Sequence, residues 1–280
     1  MLAYRHAFHA GNFADCFKHT LLLELLAGLA RKDRPFAVLD SHAGAGVYDL
    51  GGAAADKTGE WRAGIGRLWD APALGPELDA FRAAVAALNP DGRLRHYPGS
   101  PQLVRGALRA HDRLIACELH PADHALLKAA CAGDRRVAVH RRDGYEAAGA
   151  LLPPPERRGL LFVDPPYEDK REFDRLVEFV ARVHRRWREG TLALWYPILD
   201  RAPSERFARR VTALGIPALL RLELGIAPYD SPHGMGGSGM LIVNPPWQLD
   251  RNAARWLPEL LEHLRAGPHG QTRVDWLTPA

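Results

Sequence analysis

A chain of 280 residues with 47% hydrophobic and 25% charged residues has enough apolar side chains for a large buried core, which excludes a disordered protein. Its formal net charge is +4 and its sequence pI is about 9.1, and arginine pairs recur along it, which suits a polyanionic partner such as nucleic acid. The same arginines could instead be solvated helix faces. The pairs are Arg135–Arg136, Arg141–Arg142, Arg157–Arg158, Arg185–Arg186 and Arg209–Arg210.

Cysteine spacing and the lengths of the apolar runs indicate the cellular compartment of the protein. Cys16, Cys117 and Cys131 show neither paired spacing nor a CxxC motif, so a disulfide framework and a zinc ribbon are not indicated, and a reducing cytoplasmic setting is expected. The longest apolar stretch, residues 21–30, contains Glu24 and is much shorter than the about 20 residues of a membrane span. It is predicted to be a core helix, and neither a membrane span nor a signal peptide is expected.

Short apolar runs alternate with helical patterns, which predicts a parallel sheet covered by helices on both faces. The predicted strands lie within residues 35–40, 113–119, 136–140, 159–164 and 191–197. The last two runs, 219–227 and 239–244, are separated only by a Gly- and Pro-rich link. They predict a terminal antiparallel hairpin at the sheet edge.

Residues 47–97 interrupt this alternation. The helix expected after the first strand is delayed, and two stretches with helical periodicity come first, so two short helices in an inserted helical subdomain are predicted. Residues 1–46 and 98–280 then form the main α/β domain. The delayed helix is predicted to begin with Ser100 at its N-cap and Pro101 in its first turn. The apolar positions are Trp61, Ile65, Leu68 and Trp69 in the first stretch and Leu78, Phe81, Val85 and Leu88 in the second.

Polar residues follow each of the first four predicted strands. They are Asp40, Glu118, Asp143 and Asp164. Because ligands of open α/β sheets bind beyond the carboxyl ends of the strands, all four are expected to face one crevice. Gly44, in the turn after Asp40, would let the backbone approach a ligand closely, although a tight turn alone would also explain it. The nicotinamide fingerprint is not matched, since no third glycine opens a helix there and no acid follows directly about 20 residues later.

Two of these positions suit a nucleoside. Glu118 is placed where a carboxylate can bind both hydroxyls of a ribose. The Asp143–Gly144 turn is placed where a side chain or a backbone amide could contact an adenine ring. Each also has a plain alternative, a surface acid after a strand or a common Asp-Gly turn.

Two Pro-Pro turns end apolar runs in almost the same letters. Residues 164–167 read DPPY, and residues 244–247 read NPPW; we call them the DPPY turn and the NPPW turn. The NPPW turn ends the predicted antiparallel hairpin, so Asn244 is expected at the sheet edge opposite the crevice. The DPPY turn is therefore predicted to carry the chemistry.

The DPPY turn resembles that of the S-adenosylmethionine-dependent methyltransferases that modify exocyclic amino groups. An amino group conjugated to a purine is a poor nucleophile, because its lone pair is delocalised into the ring. The resemblance implies that Asp164 and the carbonyl of Pro165 accept its two N–H bonds and direct the lone pair at the methyl sulfonium. Tyr167 would stack on the base, which returns about 1–3 kcal/mol towards the cost of extracting it.

The motifs taken together resemble the RlmJ-type 23S ribosomal RNA adenine methyltransferases over nearly the whole chain. They are MLAYRHAFHAGNFADCFKHTLLLELL, LDSHAGAG, YPGSP, ELHP, DGYE, DPPY, LWYP and SGMLIVNPPW. The resemblance implies a Rossmann-like S-adenosylmethionine-dependent methyltransferase sheet with a terminal antiparallel hairpin and a small helical insertion. It also implies a monomer that methylates the 6-amino group of one adenine in naked large-subunit RNA before assembly, with Tyr4 near the substrate. The implied cofactor contacts are His19, His42, Ser100, Glu118, Asp143, Gly144 and Asp164, to which the turn glycine Gly44 is added.

The N-terminal segment contributes further candidates. Residues 3–15 are rich in aromatic and basic side chains without apolar periodicity, so they are predicted to cover the crevice and not to build the core. Lys18 is predicted to meet a phosphate or a carboxylate of the substrate site, a solvated lysine being the alternative. The histidines show no ligand spacing, so no metal is expected; they are His6, His9, His19 and His42.

Other functions stay open at this point. The same four letters also serve enzymes that methylate protein glutamines or bases in DNA. A methyltransferase fold that only binds RNA is a further alternative, against which the intact Asp164 and Glu118 argue. The sequence does not identify the target nucleotide, since the pocket selects an adenine but distant surfaces select its context.

Overall fold

An eight-stranded sheet forms the centre of the molecule in a computed structural model that describes residues 5–228 and 234–279. The strands in chain order are β1 (Ala37–Asp40), β2 (Val47–Asp49), β3 (His96–Pro98), β4 (Arg113–Cys117), β5 (Val137–His140), β6 (Gly159–Val163), β7 (Thr191–Ile198), β8 (Leu219–Gly225), β9 (Gly237–Val243) and β10 (Gln271–Thr278). The order across the sheet is β10-β8-β9-β7-β6-β1-β4-β5. Strands β1, β4, β5, β6 and β7 are parallel, as the apolar runs predict.

The antiparallel end of the sheet differs in part from the sequence prediction. β8 and β9 do pair as a hairpin, but β9 lies between β7 and β8, and β10 pairs antiparallel with β8 to form the edge. The prediction that the hairpin lies at the sheet edge is therefore wrong. Every residue of β8 is buried, so this strand needs partners on both sides, whereas the edge strand β10 is mostly half-buried and its apolar alternation is weak.

Helices cover both faces of the sheet, which confirms the predicted α/β class with its mostly parallel sheet and antiparallel end. They are α1 (Phe13–Ala30), α2 (Ala53–Thr58), α3 (Glu60–Ala63), α4 (Ile65–Trp69), α5 (Pro76–Ala86), α6 (Ser100–Ala107), α7 (Pro121–Ala130), α8 (Gly144–Leu151), α9 (Glu172–Arg186), α10 (Arg201–Thr212) and α11 (Leu249–Leu264).

The helix α1 is a core helix, as predicted. The Asn12 side chain caps it by accepting a hydrogen bond from the backbone N–H of Asp15 at 3.0 Å. Its leucines are buried almost all round, and Glu24 accepts a hydrogen bond from Trp256 Nε1 at 2.7 Å. Within the described part of the chain, no helix has the length and apolar character of a membrane span.

Residues 47–97 hold four short helices where two were expected. Gly64 lies between α3 and α4 with a non-helical backbone of φ −102° and ψ −112°. A Cβ at this position would lie 2.0 Å from the carbonyl oxygen of Gly11, so only glycine fits there. The strands β2 and β3 close the segment as an antiparallel ribbon. Ile65 and Phe81 are fully buried in the same apolar core as Leu21 of α1, and the division of the chain into two domains stays a prediction.

Candidate active site

A cleft lies where the strand order of the sheet reverses. From β1 the chain adds β4 and β5 on one side, and it then continues with β6 and β7 on the other side of β1. Ligands of such sheets bind at this point, beyond the carboxyl ends of the strands. A cavity opens at this point. Two of the sequence-predicted residues do not line it: they are Tyr167 and the fully buried Asp40. The sequence-predicted residues that line it are Lys18, His19, His42, Gly44, Ser100, Glu118, Asp143, Gly144, Asp164 and Pro165.

Glu118 is held rigidly at the end of β4. Its Oε2 accepts a hydrogen bond from the N–H of Gly44 at 2.8 Å, and its Oε1 accepts one from the N–H of His120 at 2.7 Å. Burial raises the pKa of Glu118, and the two N–H groups oppose that rise. Each carboxylate oxygen keeps a lone pair for a further donor, which suits a pair of ligand hydroxyls.

The backbone around the cleft approaches closely at two glycines. Gly44 has φ +62°, and a Cβ there would lie 2.1 Å from the hydroxyl oxygen of Tyr48. Gly144 opens α8 against the first loop, where a Cβ would lie 2.0 Å from the carbonyl oxygen of Ser41. Both positions require glycine, and at Gly144 the loop after β5 meets the loop after β1 without an intervening side chain.

Ser100 does not cap α6 as the sequence predicts. The N-cap residue is Gly99, and Ser100 Oγ instead donates a hydrogen bond of 2.6 Å to Asp40 Oδ2. Asp40 Oδ1 has no hydrogen-bond partner among the described residues. Burial raises the pKa of Asp40 to about 7, the hydrogen bond from Ser100 opposes this, and the Asp164 carboxylate adds to it. The sequence pattern was right about the helix start and wrong about the serine, because a buried carboxylate competes for its hydroxyl.

Burial favours the neutral form of both His19 and His42. Burial lowers the pKa of His19 to about 3 and that of His42 to about 4. The Nδ1 of His19 lies 2.7 Å from the hydroxyl oxygen of Tyr97 on β3, and the Nδ1 of His42 lies 2.8 Å from Ser41 Oγ. No group of three His, Cys, Asp or Glu side chains in the described ranges is arranged to hold a metal ion.

Asp143 is the N-cap of α8. Its Oδ1 accepts hydrogen bonds from the N–H groups of Tyr145 and Glu146, and its Oδ2 accepts one from Arg175 at 2.8 Å. Burial opposes ionisation of Asp143, but the charge and hydrogen bond of Arg175 and the two backbone N–H groups together outweigh it and lower the pKa of Asp143. Arg175, which also lies 4.0 Å from the ring centroid of Tyr145 and lines the cleft, was not predicted from the sequence. An isolated arginine on a helix carries no signal of its own, so only its position reveals it.

Lys18 contacts two carboxylates of the protein itself, and its contact with the substrate stays a prediction. Its Nζ lies 2.5 Å from Asp164 Oδ2 and 2.9 Å from Asp15 Oδ1, with the ring centroid of Trp195 at 5.1 Å. Burial would raise the pKa of Asp15, but His6 and Lys18 outweigh it and hold that pKa well below its usual value. Asp15 is a residue that the sequence analysis missed. Its signal would have been an acid three positions before Lys18 on one helix face.

The DPPY turn places Asp164 and Pro165 in the cleft wall and turns Tyr167 away from it. Tyr167 has φ 52°, and its hydroxyl donates a hydrogen bond of 2.7 Å to the carbonyl of Trp195. Its ring packs against the rings of Phe173 and Trp195. Stacking of Tyr167 on a base stays a prediction, and in this arrangement both its ring and its hydroxyl already have protein partners.

The N-terminal segment divides between the cleft and the core. His6, in a 3₁₀ turn His6–Phe8, lines the cavity, and Arg5 forms an ion pair with Asp123 at 3.0 Å. Ala10 and Gly11 are buried in the core, which the sequence prediction of a covering segment did not include. Tyr4, the predicted substrate contact, lies outside the described residues.

A parallel sheet whose switch-point cleft carries a strand-end glutamate and a DPPY turn defines a class of protein, the methyltransferases of Rossmann-like fold. A family model described as "RsmJ: Ribosomal RNA large subunit methyltransferase D, RlmJ" matches residues 33–278, and the chain belongs to this family.

Full-length relatives agree with this membership. The chain is 43% identical over 279 residues to ribosomal RNA large subunit methyltransferase J of Escherichia coli (strain K12) and 40% identical over 280 residues to the protein of that name from Haemophilus influenzae, and each match covers 100% of both chains. The crystal structure of a Legionella pneumophila (strain Philadelphia 1) protein superposes with a TM-score of 0.88 at 34% identity, and covers 95% of this chain and 98% of that one.

Proposed function

We propose that this protein transfers a methyl group from S-adenosylmethionine to the 6-amino group of a specific adenine in 23S ribosomal RNA. The observation that carries the proposal is the position of Asp164 and Pro165 in the wall of the same cleft as Glu118. A bound nucleoside cofactor and an amino-group acceptor then meet between β4 and β6. Family membership and full-length likeness to two ribosomal RNA large subunit methyltransferases support the choice of RNA.

The cleft residues fit the cofactor. The two oxygens of Glu118 are fixed by backbone N–H groups and have capacity for the two ribose hydroxyls. Gly44 and Gly144 also line the cavity, and without side chains they leave the backbone accessible to a ligand. The bound cofactor supplies an electrophilic methyl group on a sulfonium. The remaining proposed contacts are His19, His42, Ser100, Asp143 and Asp164.

Asp164 and Lys18 act on the amino group in this proposal. Lys18 donates to Oδ2 of Asp164, and Oδ1 has no donor among the residues that the structure describes. Oδ1 and the carbonyl of Pro165 therefore accept the two N–H bonds of the adenine, which localises the nitrogen lone pair. After methylation the nitrogen loses one proton, for which Asp164 is the nearby acceptor. Lys18 fixes the carboxylate during this exchange, and Tyr4 is proposed to contact the substrate.

Three further features belong to the proposal. The enzyme acts as a monomer, since residues of a single chain are sufficient to bring Glu118, Asp164 and Pro165 together in one cleft. It acts on naked RNA before ribosome assembly, because a target adenine must leave its stack to enter the cleft and packed ribosomal proteins would hinder that. It acts in the cytoplasm, where ribosomal RNA is made in bacteria such as those of its relatives.

The test is methylation of defined RNA. Purified protein is incubated with naked 23S RNA or assembled large subunits and S-adenosylmethionine labelled in its methyl group, and the RNA is digested and analysed by mass spectrometry. We expect 6-methyladenosine at one position, with naked RNA the better substrate. Light scattering checks the monomer.

Cellular RNA provides the matched control. Large-subunit RNA from cells with and without the gene should differ in one methylated adenine. Methylation confined to DNA or to a protein glutamine would replace the proposed substrate, and RNA binding without methyl transfer would show a fold that has lost catalysis.

A further inference from the structure

A patch of exposed cations lies opposite the cleft, at the end of the sheet where the parallel strands begin. The loops that enter β1, β6 and β7 lie there with the NPPW turn. We call this patch the basic edge; it comprises Arg31, Lys32, Arg34, Arg157, Arg188 and Trp247, all exposed.

The segments of the basic edge are tied together by hydrogen bonds. The Arg158 guanidinium donates to the carbonyl of Arg34 at 3.0 Å, which joins the loop before β6 to the loop before β1. Asn244 Nδ2 donates to the carbonyl of Arg188 at 2.7 Å, and Arg31 Nη1 to that of Trp247 at 3.5 Å. The exposed cations therefore form one continuous surface.

These cations are not neutralised by neighbouring acids. Among the described residues, no carboxylate oxygen lies within 4.0 Å of Arg31, Lys32, Arg34, Arg157 or Arg188. The nearby carboxylate of Asp112 is taken up by Arg109, and that of Glu156 is paired with Arg113 at 3.3 Å. Only the exposed Asp33 and Glu189 offset the positive charge in these loops.

Trp247 gives this surface an aromatic platform. Its side chain is 76% exposed, although the turn that carries it is fixed, because Pro246 packs where a Cβ of Gly28 would otherwise lie. The groove beside Trp247 contains Glu24 and Glu77. Carboxylates there suit the amino edge of a base, while the cations on the other side suit phosphates.

We infer that the basic edge is a second RNA-binding surface, which holds backbone phosphates of the substrate RNA while Trp247 stacks on an unpaired base. The choice of RNA rests on the proposed function. The five-residue strand β6 separates this edge from the DPPY turn by about 17 Å at 3.3 Å per residue. The basic edge therefore does not touch the target adenine; it increases affinity for a large RNA and acts on KM without changing kcat.

The test compares two triple variants. One replaces Lys32, Arg34 and Arg188 by serine, and the matched control replaces the cations Arg93, Lys128 and Arg206, which lie elsewhere. Binding of full-length 23S RNA is measured without cofactor across a range of salt concentrations. We expect the basic-edge variant to lower the slope of log K against log salt by about 2–3, since each phosphate contact contributes about 0.7–0.9. The control should keep the slope of the wild type.

Trp247→Ala separates stacking from charge. It should weaken RNA binding about fivefold or more with an unchanged salt slope. For both variants we expect a raised KM for RNA and a kcat within about twofold of the wild type, because the cleft is intact.

The outcomes distinguish this inference from the proposed function. If the wild type methylates RNA and the basic-edge variant matches the control in slope and KM, the inference fails while the proposed function stands. If no methylation occurs but RNA binding still depends on the basic edge, the proposed function fails and the surface assignment stands. A change in oligomeric state without a change in RNA binding would make the edge an interface between copies and overturn the inference.

Discussion

The DPPY and NPPW turns have almost the same letters and opposite surroundings. Both follow buried strands, but β6 is parallel to its neighbours and β9 is antiparallel to β7, so the turns emerge at opposite sheet edges. Asp164 lines the cleft beside Lys18, whereas the Asn244 side chain donates to the carbonyls of Arg188 and Gly190. The comparison teaches that strand direction, and not the motif, determines which turn lines the cleft.

The backbones of the two turns differ as well. Positive φ occurs at Tyr167, the last residue of the DPPY turn, and at Asn244, the first residue of the NPPW turn. The aromatic residue of the DPPY turn, Tyr167, is half-buried, whereas that of the NPPW turn, Trp247, is exposed. The Pro-Pro pair of the DPPY turn therefore holds Asp164 in the cleft, whereas that of the NPPW turn presents Trp247 to solvent.

The largest expected effect is the loss of methyl transfer in Asp164→Ala. Removal of the acceptor for the amino group should lower kcat at least about 100-fold with the fold intact. Asn244→Ala is the matched variant; it loses two hydrogen bonds and should lower the free energy of unfolding by about 1–3 kcal/mol with turnover near that of the wild type. Initial rates and chemical denaturation check both, and the reverse pattern would move the active site to the NPPW turn.

The second effect concerns the cofactor. Glu118→Ala should weaken S-adenosylmethionine binding by about 1.5–3 kcal/mol, the usual size for hydrogen bonds to a charged group. Glu24→Ala removes another half-buried carboxylate, in the groove beside the NPPW turn, and should leave cofactor affinity unchanged. Calorimetry on both folded variants decides the point. Equal affinities for the two variants would show that Glu118 does not hold the ribose.

A third prediction compares one glycine from each edge. Gly28→Ala places a Cβ 2.5 Å from Pro246 Cβ, so it should cost about 1–3 kcal/mol of stability by overpacking and leave cofactor binding intact. Gly144→Ala places a Cβ 2.0 Å from the carbonyl oxygen of Ser41, so it should lower both stability and cofactor affinity. Denaturation and calorimetry separate these effects, and a loss of cofactor binding in Gly28→Ala would contradict the separation of the two edges.

The last prediction concerns stability alone and is a pH dependence that arises from Asp40. The pKa of Asp40 is raised from 3.8 to about 7 in the folded protein, so between these values the folded state binds more protons than the unfolded state and stability falls as pH rises. Asp40→Asn lacks this titration. The stability of the wild type relative to Asp40→Asn should therefore decline from about pH 4 to pH 7 and level off above it, as measured by denaturation at several pH values. A constant difference would mean that Asp40 does not titrate in this window.

The sequence by itself determined the class of the fold and the candidate residues of the cleft. Alternating apolar runs and helical patterns are local signals, and they gave the parallel strands and the polar residues at their ends. The resemblance in motifs supplied the family. The direction of the last hairpin strand also placed Asn244 correctly, because an antiparallel strand must end at the opposite edge.

Only the tertiary structure decided the partners of these residues. The edge strand β10, the hydrogen bond from Ser100 to Asp40 and the ion pair of Lys18 with Asp164 depend on contacts between segments far apart in the chain. Local periodicity carries no information about such contacts, since burial and competition for hydrogen bonds are set by the whole packed chain. For the same reason the basic edge could not be read from the sequence, since its cations come from separate loops that only the folded sheet brings together, and of the arginine pairs only Arg157–Arg158 lies there.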